Sequence, residues 1–184
     1  MSQAPHSIAT HPFLDLLRHD TWATRKVLDL CGDLSHEQFH REFEIGHATL
    51  HANLTHMVGA MRRWADRVAQ RHLRPSIEKP PEFRERSPLL LTELLSTAAA
   101  DLESIALAIV ADGSSSKLIA FTFQSPEGLQ SINVTRQAAL LHVATHGQHH
   151  RSQCFNMLRH LDRTIDSGDF DVIEWYVQQQ RGNS

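Results

Sequence analysis

The stretch that most limits what this chain can become is residues 133–161, NVTRQAALLHVATHGQHHRSQCFNMLRHL. It is a long run of good helix formers with no proline, and it carries His142, His146, His149 and His150. At about 100° per residue, Ala139, Val143, Cys154, Met157, Leu158 and Leu161 gather into one apolar arc. His146 and His150 fall at the edge of that arc, one turn apart, so their rings lie one above the other. An i, i+4 histidine pair on the core-facing side of a helix can grip one metal ion with two imidazoles. The rest of the chain is therefore searched for a third ligand.

Spacing alone is weak evidence, because histidine is abundant, with 14 in 184 residues. Roughly one i, i+4 pair is expected by chance at that frequency. The chain has His36/His40, His47/His51, His142/His146 and His146/His150. What separates them is the face each occupies. His36 and His40 lie in the polar segment SHEQFHREF and read as surface residues.

The length suits one large domain, taken as residues 1–184, with a single core. The net charge of −3 does not suggest wrapping around nucleic acid. No apolar run is expected to reach the length of a membrane span, and the start, MSQAPHSIATHPF, lacks a basic segment followed by an apolar one. The expected location is the cytoplasm, with Cys31 and Cys154 as reduced, buried thiols.

The first helix is expected over about 10–31, capped by Thr10, with Pro12 in its first turn and Gly32 after its end. A second runs about 47–71, with Leu50, Leu54, Met57, Met61, Trp64 and Val68 on its buried stripe. Residues 74–88, RPSIEKPPEFRERSP, read as an exposed crossover loop. A third helix, about 88–111, starts at the Ser87 cap and ends at Asp112-Gly113. LIAFTF and LQSINV read as a short β-hairpin turning through Ser125-Pro126-Glu127-Gly128. The histidine-bearing helix, about 134–161, follows, and DFDVIEWYVQQQ makes a short last helix. Four long helices in one domain predict an all-α four-helix bundle.

A bundle collects ligands from facing helices, and the second helix offers His47, His51 and His56. On a helical wheel His51 lies about 140° and His47 about 180° from His56, so the three are not expected to share a site. His56 has the small neighbours Thr49, Asn53 and Ala60, which leave room for a ring and an ion, and it is the chosen third ligand. Asn53, Ala60, His142, His149 and Gln153 are the residues expected to support the ligands or line the pocket. Arg151 is expected to pair on the outside. Arg62, Arg63, Arg67, Arg71 and Arg74 read as a solvated helix end rather than a nucleic-acid patch. Trp22 and Trp64 read as core or pocket wall.

ATLHANLTHMVGAMRRW resembles the second-helix signature of the DinB/YfiT-like metalloprotein superfamily, and LLHVATHGQHHRSQCFNMLR resembles its histidine, three residues, His-Arg-Gly-Gln signature. HDTWATRKVLDLCGDLS is similar to the family's first helix and DFDVIEWY to its closing segment, so the likeness spans about 10–178. It implies a DinB/YfiT-type bundle and carries the three metal-binding histidines onto His56, His146 and His150. The chain departs from the pattern at Ser152, where the family has glycine, at Met61, where an acidic residue is common, and at Thr24, where asparagine is usual.

Three imidazoles leave a divalent ion, zinc or nickel, at least one open position for water or a thiolate. The resemblance implies a metal-dependent enzyme, either a thiol S-transferase using a low-molecular-weight thiol or a hydrolase, acting on a small-molecule substrate. It also suggests a homodimer. Two alternatives stand beside it: a non-catalytic protein whose ion clamps the second and fourth helices together, and a stress-response binding module. Neutral imidazole ligands predict that metal affinity falls as pH drops through the ordinary histidine range.

Overall fold

The computed structural model describes residues 11–79 and 85–182. Among these residues six α-helices and one β-hairpin follow in order: α1 Pro12–Leu30, α2 His36–Phe39, α3 Leu50–Val68, α4 Pro88–Ala111, β1 Leu118–Ser125, β2 Gly128–Thr135, α5 Arg136–Arg159 and α6 Val172–Gly182. α1, α3, α4 and α5 form a four-helix bundle in which α1 and α3 each pack against both α4 and α5. Leu17, Val27, Leu54, Val58, Leu91, Leu102, Leu140 and Leu158 fill its centre, all nearly or wholly removed from solvent.

Local chemistry sets most boundaries. Ser35 and Gln38 form a reciprocal capping box around α2. Thr49, Ser87 and Thr135 each accept a backbone N–H, from Ala52, Leu90 and Ala138, and so open α3, α4 and α5. The Thr10 cap expected for α1 lies outside the described residues; His11 is the residue that precedes Pro12. α3 and α5 end alike. A left-handed residue (Gln70 at φ 55°, Asp162 at φ 59°) lets the next N–H, of Arg71 or Arg163, return 3.0 Å to the carbonyl of Asp66 or Leu158. The hairpin pairs Leu118 with Thr135 through to Ser125 with Gly128, leaving Pro126-Glu127 at the tip. Its buried Ile119 joins the core, and Phe121 meets Trp64 of α3 edge to face at 5.1 Å.

The structure corrects four expectations. α3 begins at Leu50 rather than 47, because Gly46 (φ 53°) and Ala48 (φ 67°) are left-handed and Thr49 is the cap. Of the crossover loop expected over 74–88, residues 80–84 lie outside the described residues, and the rest is not simply exposed: Ile77 and Arg86 are buried, and the Arg86 N–H donates to His51 Nε2 at 3.1 Å. The basic end of α3 is tied down rather than solvated. Asp66, 1% exposed, takes Arg71 and Arg74, and both arginines also reach Asp101 of α4. Finally, α4 is long and apolar enough by composition to cross a membrane, which the sequence reading did not anticipate. Its Leu91, Leu95, Ala98, Leu102, Ala106 and Ile109 are nevertheless buried in the bundle.

Candidate metal centre

His56 stands in the middle of α3, and His146 and His150 stand one turn apart on α5, where those helices pack. His146 Nε2 lies 3.2 Å from His56 Nε2 and 3.2 Å from His150 Nε2. The edge of a tetrahedron of nitrogens around zinc is about 3.3 Å, from Zn–N bonds of about 2.0–2.1 Å. The two separations therefore match adjacent ligands of one ion.

The far side of two rings decides what these nitrogens are. His56 Nδ1 is 2.6 Å from the Glu78 carboxylate, an acceptor only, so Nδ1 carries the proton. His150 Nδ1 faces Asn53 Oδ1 at 3.1 Å and Gln153 Oε1 at 2.8 Å, two more acceptors. Asn53 cannot turn its amide over without losing the bonds its Nδ2 donates to the His150 carbonyl (2.9 Å) and Cys154 Sγ (3.1 Å). Both rings thus present a bare lone pair at Nε2. His146 Nε2 has at most one hydrogen to share between them, so at least one lone pair is left facing the cluster. A cation satisfies that arrangement, and a proton shared among the three rings does not. The residues present fit a divalent metal ion, with the outer partners holding each ring in its tautomer.

Burial pushes His56 down to about 4, with the Arg63 guanidinium adding to it, and His150 to about 4. His146, desolvated and beside His150 and His56, falls to about 3. All three rings are therefore neutral and ready to ligate across the ordinary histidine range. Proton competition for the three rings is thereby displaced toward lower pH.

Glu78 was missed in the sequence. It comes from the loop after α3 and is also paired with Arg63, one carboxylate serving two partners. Gly59 makes the approach possible, since a Cβ there would overlap the Glu78 carboxylate. An isolated glycine within a helical pattern is the one local signal for such an approach. Met61, where the family pattern prefers an acid, is buried, and a carboxylate reaches His56 from the loop instead.

Ala60 is buried behind the cluster beside a void of about 10 Å³ that His146, Met57 and Val143 also line. His142 is exposed and leans on Trp64, 4.8 Å between rings. His149 is exposed, and its Nε2 is 3.0 Å from the Gln153 amide nitrogen. Neither ring is among those joined through Nε2. Arg151 does not pair outside. It is 4% exposed and donates to the Asp20 carboxylate and to Thr24 Oγ1 at 3.0 Å, locking α1 to α5. Gly147 leaves the space for Asp20 in that lock.

His47 overturns the wheel argument. Its ring lies 4.0 Å from that of His56 and 5.3 Å from that of His150, and one nitrogen from each of the three lies within 4.8 Å of the others. The wheel assumed helix through residue 47, whereas helix starts at Leu50. Thr49, a good cap residue, was the signal to stop there. His51 does turn away, stacking on His40 at 4.7 Å. A second group, His36, His40 and Glu85, sits on the surface some distance along the chain, with His36 Nε2 2.6 Å from Glu85.

Fold and site together define a helical-bundle protein with a histidine cluster of metal-ligating type between its second and fourth long helices. The DinB family profile matches residues 1–181, and the chain belongs to the DinB family. Its structure is similar to the crystal structure of a DinB-like protein from Bacillus cereus ATCC 10987, with a TM-score of 0.64 and 19% identity over 84% of this chain and 93% of that one. That likeness speaks for the fold. No curated protein matches the sequence at a significant level.

Proposed function

We propose that this DinB-family chain binds one divalent metal ion, zinc or nickel, through His56, His146 and His150. On this reading it is a metal-dependent enzyme of the thiol S-transferase or hydrolase type, acting on a small-molecule substrate with a low-molecular-weight thiol as a candidate partner. The observation that carries the reading is the pair of bare Nε2 lone pairs, enforced by Glu78, Asn53 and Gln153, set 3.2 Å from a third imidazole nitrogen. When bound, the ion supplies Lewis acidity and lowers the proton affinity of the donor that completes its coordination. The chain's own residues do the positioning. Glu78 and Asn53 fix the rings, Arg63 holds Glu78, and Met57 and Val143 keep the inner side dry.

A second reading, the ion as a clamp between α3 and α5, is favoured by the shape of the molecule. A groove of about 380 Å³ bounded by Trp22, Trp175 and Glu103 lies apart from the histidines, and the void behind His146 is only about 10 Å³. A substrate must therefore come from the outer side, where His47 stands. Arg63 of α3 and Arg71 and Arg74 beyond its end are engaged with carboxylates, and Arg67 lies over the rings of Trp64 and Phe121, which gives nucleic-acid binding no support. Leu89, Leu90 and Leu107 leave α4 an apolar outer face, in keeping with a homodimer.

Elemental analysis of the purified protein and calorimetric titration test the site: one equivalent of metal in the wild type, and loss of tight binding in His56→Ala and His146→Ala. Binding as tight as that of the wild type in either variant rejects the assignment. Metal-dependent turnover in a panel of thiol-plus-electrophile pairs and esters favours the enzyme. A large drop in melting temperature on chelation, with no turnover across the panel, favours the clamp.

A further inference from the structure

We propose that His47 is a fourth imidazole ligand of this centre, seated on it by a strained loop, so that an outside ligand reaches the ion only by displacing His47. The inference rests on His56, His146 and His150 being ligands. The ring of His47 already lies 4.0 Å from that of His56 and 5.3 Å from that of His150, with one ring nitrogen of each of the three within 4.8 Å of the others.

The loop that carries His47 is built for this position. Gly46 and Ala48, on either side of it, are left-handed at φ 53° and φ 67°. That conformation is unfavourable for an alanine and persists only where its surroundings enforce it. The enforcement is visible. The Phe43 N–H donates to the Ala48 carbonyl at 2.7 Å, the Ala48 N–H donates to the Ile45 carbonyl at 2.9 Å, and Thr49 caps α3. Gly46 itself is pressed against the site, since a Cβ there would overlap the Gln153 amide and come within 3.1 Å of Asn53 Oδ1. Those two amides are the ones that orient His150. The loop that carries His47 thus abuts the two amides that set the tautomer of His150.

Three imidazoles leave a position open, and four close it. His47 is exposed and belongs to no helix, so it can leave without disturbing the core. It would then be a removable ligand on the solvent side of the cluster. The competitor is a small anionic donor of the thiolate or azide type.

The test uses cobalt(II) in the full chain as the wild type, as His47→Ala and as Gly46→Ala, with X-ray absorption to count imidazoles and azide as the probe. The expected result is four imidazoles in the wild type and three in His47→Ala. Azide should bind His47→Ala at an about tenfold lower concentration, the factor for a position that is about nine-tenths occupied. Gly46→Ala, which keeps the imidazole but unseats the loop, should move the same way. Three imidazoles in both wild type and His47→Ala, with equal azide affinity, overturn the fourth ligand while leaving the three-histidine site standing. A wild type that takes up no cobalt overturns both.

Discussion

Gly59→Ala separates the stability of α3 from the geometry of the site. In a plain helix interior this change is stabilising by about 1 kcal/mol, because glycine pays the larger backbone entropy. Here the new methyl group would overlap the Glu78 carboxylate, the end of a flexible side chain rather than a rigid neighbour. Glu78 moves aside at little cost to the fold. It gives up its bond to His56 Nδ1 and its pairing with Arg63, a half-buried ion pair whose loss costs about 0–1 kcal/mol. The gain and the loss nearly cancel, so the metal-free variant should unfold within about 1 kcal/mol of the wild type, a melting shift of about 4 °C or less. Metal affinity behaves differently. With no carboxylate at Nδ1, His56 is free to rotate and to change tautomer, and losing such a partner costs about 10–100-fold in affinity, or about 1.4–2.7 kcal/mol. Thermal unfolding of the metal-free protein and competition against a chromophoric chelator measure the two effects on one sample. Unchanged affinity in a folded Gly59→Ala protein would refute the role given to Glu78. A metal-free protein destabilised by well over 2 kcal/mol would refute the claim that only a flexible side chain has to move.

Burial lowers His51, His56 and His150 to about 4 and His146 to about 3, while all four regain the ordinary value on unfolding. The unfolded chain then binds more protons than the folded one between pH about 3 and about 6.5. Stability of the metal-free protein is full above that window and is lost as pH falls through it, each histidine adding a slope of at most about 1.4 kcal/mol per pH unit. Denaturant melts at pH 5 and pH 7.5 check this, and equal stabilities would contradict it. Arg151→Leu leaves the Asp20 carboxylate buried without its partner and should destabilise by about 3–5 kcal/mol. Adding Asp20→Asn should restore part of that in chemical denaturation, and a double variant no better than Arg151→Leu alone would argue against the pair.

Nearest-neighbour chemistry made a good part of this protein legible from sequence. α4 begins at Pro88 after its Ser87 cap, as its residues announce, and the hairpin turns at Ser125 and Gly128 as read. Those signals act within three or four residues, where a hydroxyl meets an N–H or a face repeats with the helical turn. The same periodicity put His146 and His150 on one face and picked His56 by its small neighbours, and the resemblance to a family carried over the same three residues. What it could not supply was the chain's path between elements. The left-handed steps at Gly46 and Ala48 bring His47 back over His56, although a continuous helix would have carried it to the opposite side. Glu78 reaches His56 across 22 residues and Arg151 reaches Asp20 across 131. Such meetings depend on how loops close and helices dock, which no window of local sequence encodes. The imidazoles were therefore readable one helix at a time, whereas the partners that set their protons, and the fourth ring beside them, were decided only when the bundle came together.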